Sequence, residues 1–206
     1  MFSVLFQELF RLLIYLLLDR ADTYLKKLTE TEETQIFANK HILAYVVGLG
    51  FGLMSGAFSL VNVLAASLGP GTLGFNGEPH NFFIVSAVMT LCMVLLHTSW
   101  GVIFFSSLDT GMYSLIPVFR HLKHIKSNSG TYWQTGFVIV SHMFVSCLSL
   151  LNSYDSGSLY PASIIPSYLV LLVSITLAVK VAGGSIGGIK AAVTGGGGNL
   201  EVQAEQ

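Results

Sequence analysis

Few ionisable side chains fall inside the apolar runs of this sequence, and they set the chemistry to be weighed. Glu8 and Arg11 lie in the first run, at about 2–18; His97 lies at about 82–105 and His142 at about 132–151. Glu8 and Arg11 stand three residues apart, on one face of a helix, where they can pair. Such a pair inside a membrane faces other helices; at a helix end, both side chains would instead reach toward the interface. At 1.5 Å per residue, His97 lies about 12 Å and His142 about 15 Å from the same edge of the membrane, so two consecutive antiparallel helices bring their imidazoles to one level. The roles open to them are a helix-locking pair, a metal or proton site, and a catalytic base. A metal would need further ligands, and Cys147 lies deeper. A proton relay would want acidic partners, and Glu8 is the one acid in an apolar run. Intramembrane aspartyl proteolysis needs two aspartates at depth. Asp19, Asp22, Asp109 and Asp155 all fall in connectors, which excludes that activity from this chain. Structural histidines, neutral and hydrogen-bonded to serine or backbone groups, are the favoured reading. A metal or a cofactor is not expected.

A second constellation is steric. Gly48, Gly52 and Gly56 fall at i, i+4 and i+8 within the run 42–68. Each step of four advances the helix face by only about 40°. Ser55, Ser59 and Asn62 share the same arc as small polar support, while Gly50 points to the opposite side. Helices in lipid associate through close packing and hydrogen bonds, so this bare face predicts a docking surface for partner helices. The plainer reading is packing within the chain. Ser55 before Gly56, with His142 after Ser141, is also similar to the Ser–His dyad of rhomboid serine proteases. Their nucleophile sits in Gly-x-Ser-Gly, however, and Leu53 stands where the first glycine belongs. That reading needs Ser55 and His142 within hydrogen-bond reach. A small channel or transporter would need His97, His142 and Glu8 to face one aqueous path.

The elements that position these residues follow from composition. The chain has 206 residues, of which 52% are apolar and only 10% charged. Soluble domains carry about 25% charged residues, so an all-α, multi-pass transmembrane helix bundle is predicted. A net charge of −1 gives no sign of nucleic-acid binding. Cys92 and Cys147 offer neither a disulfide framework nor a zinc spacing. Five spans are predicted, at about 2–18, 42–68, 82–105, 132–151 and 164–182, forming a single transmembrane domain over 1–184. A Gly-rich tail, 185–206, is expected to be disordered. Nine of the ten Lys and Arg residues fall on one side of this arrangement, in 19–40, in 106–131 and from Lys180 onward. The positive-inside rule then puts the N-terminus outside and the C-terminus in the cytosol.

Several spaced motifs resemble one family. Leu49 through Gly56 with Phe58-Ser59, Leu68-Gly69-Pro70-Gly71, and Leu96-His97-Thr98-Ser99-Trp100-Gly101-Val102 with Phe104-Phe105 are similar to the anterior-pharynx-defective (Aph-one) subunit of γ-secretase. So are Ser141-His142, Leu151-Asn152, Ala182-Gly183-Gly184-Ser185 and the opening Gln7-Glu8-Leu9-Phe10-Arg11. The resemblance covers about 1–107 and 131–190. It implies a noncatalytic scaffold that assembles with nicastrin, presenilin and the presenilin enhancer, with presenilin supplying the catalytic aspartates. The implied substrates are type I membrane proteins such as Notch and the amyloid precursor protein. The implied sites are the endoplasmic reticulum, Golgi and plasma membrane. Gly48, Gly52 and Gly56 match the family's assembly motif, and His97 and His142 its two buried histidines. The family has seven spans and this chain matches the last five, so an N-terminally short form is implied. The 106–131 connector, with its apolar piece Met112 to Phe119, is longer than the family's link.

Overall fold

The computed structural model describes residues 2–28, 40–67, 81–110, 132–153 and 159–184, which are helical with no strand among them. The helices are α1 (Phe2–Leu28), α2 (Lys40–Ser67), α3 (Phe82–Thr110), α4 (Tyr132–Ser149) and α5 (Tyr160–Val181). A 3₁₀ turn, Leu150–Ser153, follows α4. The expected tail at 185–206, the Gly69-Pro70-Gly71 break and the stretch Met112 to Phe119 lie outside the described residues.

Helix α3 is the axis of the bundle. Every residue from Leu96 to Phe105 is buried, polar and apolar alike. A helix covered on all sides belongs at the centre of its neighbours. Contacts along α3 give the directions of the others. Arg11 meets His97 and Tyr15 meets Asp109, so α1 runs parallel to α3. Gly48 abuts Thr98 while Gly56 abuts Thr90, so α2 runs antiparallel. Ser107 bonds Thr135 and the rings of His97 and His142 touch, so α4 is antiparallel as well. Tyr168 donates to the carbonyl of Val88, at the early end of α3, which fits a parallel α5. Successive helices thus alternate in direction, as chain crossings of a membrane must.

Four helices, α2 to α5, are long and apolar enough to cross a membrane. The expected fifth span, 2–18, is not among them. Its residues belong to a longer helix that runs on to Leu28. Asp19 to Leu28 contains no Gly or Pro and several strong helix formers, so hydrogen bonding outlasts the apolar pattern. Helix α3 likewise outruns its expected end near 105, because Ser107 and Asp109 find partners on Thr135 and Tyr15. Helix α5 starts at Tyr160, ahead of the expected 164. Pro161 occupies its first turn, where a missing N–H costs nothing. Its end is as expected at Gly183-Gly184. Gly183 has φ of 81°, its N–H bonds the carbonyl of Lys180, and the N–H of Gly184 bonds that of Val179. These are the two bonds of a Schellman cap, which favours glycine.

The α2–α3 contact is made backbone to backbone. A Cβ placed on Gly52 would lie 2.6 Å from the Val94 carbonyl oxygen, and one on Gly48 would lie 2.8 Å from that of Thr98. Gly101 reciprocates: a Cβ there would lie 2.7 Å from the Cα of Gly48. Backbone cannot swing aside as a side-chain tip does. Gly52→Leu should therefore cost more than the ~1–3 kcal/mol of ordinary overpacking, read as a large drop in the thermal unfolding midpoint in detergent. Gly50 is exposed with nothing within 4 Å of its Cβ position. Gly50→Leu should leave that midpoint unchanged or raised.

Candidate functional site

The glycine strip and the buried ionisable groups converge on one point of α3. Gly52 lies against Val94 and against the Cβ of His97, so the close approach of α2 fixes where the imidazole begins. The ring then meets those of Phe51, Trp100 and His142 at centroid distances of 5.4, 5.4 and 4.9 Å. Helix α1 brings Glu8 and Arg11 to the same place. Arg11 Nη1 donates to both carboxylate oxygens of Glu8, at 2.8 and 2.7 Å. Arg11 Nη2 donates to His97 Nδ1 at 2.8 Å. His142 Nδ1 lies 2.7 Å from Glu8 Oε1. Four side chains from α1, α3 and α4 thus form one chain, His142–Glu8–Arg11–His97. His97 is 0% exposed, Arg11 and His142 1%, and Glu8 6%.

The chemistry of the donors settles the protonation pattern. Guanidinium has only donors and stays charged, so His97 Nδ1 must accept, and His97 is neutral with its proton on Nε2. Glu8 accepts both bonds from Arg11 as a carboxylate. His142 Nδ1 therefore carries a proton and donates it to Oε1. The carboxylate and guanidinium cancel, and each histidine supplies one further bond to a charge. Arg11 also lies over the Phe51 ring, 5.2 Å from its centroid, and 5.9 Å from that of Phe104. Aromatic faces so placed offset part of the cost of desolvating a cation. Arg11 Nε, His97 Nε2 and Trp100 Nε1 are buried with no hydrogen-bond partner among the described residues.

Both rival chemistries can be set against this geometry. Ser55 and His142 line one cavity of about 660 Å³, with Ser3, Gln7, Ser59 and Ser146. No hydrogen bond joins Ser55 to His142, whose Nδ1 is held by Glu8. Glu8, His97 and His142 are bonded in one buried chain, and of the three only His142 reaches that cavity. Ser55 is half-buried and Ser59 exposed. Asn62 lies in α2, but its side chain is outside the described set. Gly48, Gly52 and Gly56 are buried against α3 of this same chain, not displayed on an outer face.

A family model described as Aph-1 protein matches residues 1–185. The chain belongs to the Aph-1 family. The gamma-secretase subunit Aph-1 of Drosophila melanogaster is 45% identical over 184 residues, which are 89% of this chain and 67% of that protein. Aph-1b of Danio rerio is 42% identical over 192 residues, covering 93% and 64%. APH-1B of Mus musculus is 38% identical over 189 residues, covering 91% and 63%. The chain thus spans about two thirds of the length of the curated relatives it matches.

Two features of this Aph-1 chain escaped the sequence reading. Gly101 was placed in its span but not matched to the glycines of α2, although it sits on Gly48. Ser163, Ser167, Ser174 and Ala178 form a second small-residue stripe, buried on α5. Their spacing of four, seven and four was the available signal. The ion pair yields the sharpest test. Glu8→Gln or Arg11→Met alone leaves a buried charge without its counter-charge, and each should lose about 3–5 kcal/mol of stability. The double variant should be more stable than either single one, as measured by denaturation in detergent.

Proposed function

We propose that this chain acts as a noncatalytic scaffold subunit of a γ-secretase complex, with its N-terminus outside and its C-terminus in the cytosol. Family membership supports the complex, since the relatives are named as gamma-secretase subunits. The observation that carries the scaffold role is the bonding pattern: Glu8, Arg11, His97 and His142 are committed to one another across three helices. Groups held this way lock a bundle. In this reading Gly48, Gly52 and Gly56 serve assembly indirectly, by seating α2 on α3 and so shaping the outer surface that partners meet. The partners are nicastrin, presenilin and the presenilin enhancer, and α1 is the fifth membrane crossing, its charges masked by the histidines. The complex would mature through the endoplasmic reticulum and Golgi to the plasma membrane, and would process type I proteins such as Notch and the amyloid precursor protein.

Co-purification in mild detergent tests the scaffold role. The native chain and Gly50→Leu should each retain nicastrin and presenilin, while Gly52→Leu should lose both. Recovery with none of the three, under conditions where a full-length relative succeeds, would overturn the scaffold reading for this chain. Orientation has its own test. An Asn-Gly-Thr acceptor inserted in 69–80 should be glycosylated in cells, and one inserted in 111–131 should not. The reverse pattern would invert the topology.

A further inference from the structure

A groove of about 350 Å³ runs between α2 and α5, with α3 as its floor. Its lining spans His41–Leu49 on α2, Leu95–Val102 on α3 and Ile175–Ala182 on α5. At 1.5 Å per residue it is about 10–12 Å long, parallel to the helix axes. Helices α2 and α5 both pack on α3 but make little contact with each other, so the groove lies open between them. Leu49, Leu95, Val102, Ile175 and Val179 make it apolar. The two hydroxyls on its floor are already used: Thr98 donates to the carbonyl of Val94 and Ser99 to that of Leu95. A polar solute would find no free donor on the floor.

The polarity changes at one end. Helix α2 begins there with Lys40-His41, and Lys180 lies in the last turn of α5, exposed. Tyr45, also exposed, lines the groove one turn in from His41. Aromatic residues with a polar tip favour this level of a membrane. Asp109, the acid near that end of α3, accepts a hydrogen bond from Tyr15 on α1. An apolar slot parallel to the helix axes, with His41 at one end and the exposed Lys180 beside it, matches a molecule with a hydrocarbon tail and an anionic head.

We propose that this groove binds an anionic phospholipid from the leaflet on the His41–Lys180 side, with one acyl chain between α2 and α5 and the phosphate beside His41 and Lys180. The site is separate from the Glu8–Arg11–His97–His142 chain and does not rest on the scaffold reading. Each surface-level lysine favours an anionic lipid by about fivefold.

Native mass spectrometry of the full chain, delipidated and then titrated with phosphatidylserine or phosphatidylcholine of identical chains, tests the site. The native chain should retain phosphatidylserine about fivefold or more over phosphatidylcholine. Lys180→Gln should reduce phosphatidylserine retention about fivefold and leave phosphatidylcholine unchanged. Ala182→Phe projects a ring into the groove from an exposed position and should abolish retention of both lipids. Circular dichroism and gel filtration check its fold, and Lys180→Gln decides the matter if Ala182→Phe does not fold. Equal retention of the two lipids by the native chain would overturn the proposal. So would undiminished binding by a folded Ala182→Phe, or a peptide mass in place of a lipid on the freshly purified chain.

Discussion

The contact on which the rest of this structure depends is the meeting of two helix backbones at Gly48, Gly52 and Gly101. Lipid gives helices no hydrophobic reason to associate, so distance of approach decides how much dispersion and dipole attraction they gain. With no side chains between them, α2 and α3 come close enough that an added Cβ would fall 2.6–2.8 Å from opposing backbone atoms. This fixes α3 relative to α2 and seats the Cβ of His97 beside Gly52. The other helices are then arranged around a pair that has no freedom to slide.

Around that pair, the buried charges are paired with one another. Glu8 and Arg11 cancel in charge, and His97 and His142 take up one further bond from each. The same economy recurs in smaller form. Ser167, Ser141 and Thr98 return their hydroxyls to carbonyls of their own helices, so these small residues line helix contacts with their donors used. Buried hydrogen-bonded networks of this type favour one arrangement of helices over its neighbours in register.

Most of the architecture was legible because membrane helices announce themselves by length and hydropathy. The glycine arc was legible too. Gly50 was placed opposite Gly48 and Gly52 by angle alone, and it is the exposed one. What periodicity could not supply was the identity of the surface facing the arc, since an angle names a face and not its neighbour. The meeting of Glu8 with the histidines was hidden for a related reason. Depth counted from the start of α1 puts Glu8 near the outer edge, whereas Arg11–His97 and Tyr15–Asp109 show α1 set far along α3. That offset arises from tertiary packing and leaves no mark in the sequence of α1. Helix α3 runs past its expected end where Asp109 finds a partner in Tyr15.

The spacing of the network along the chain has a consequence for biosynthesis. Arg11 is completed by a residue 86 positions later and Glu8 by one 134 positions later. At 5–20 residues per second, the ribosome needs about 7–27 s to travel from Glu8 to His142. Until His97 is made, the carboxylate and guanidinium of α1 have only each other, and until His142 is made Glu8 lacks its further donor. The helices that follow are each long and apolar enough to cross a membrane by composition alone, whereas α1 is not among them. Helix α1 is thus made before the partners that complete its burial, and the network closes only once α4 has emerged.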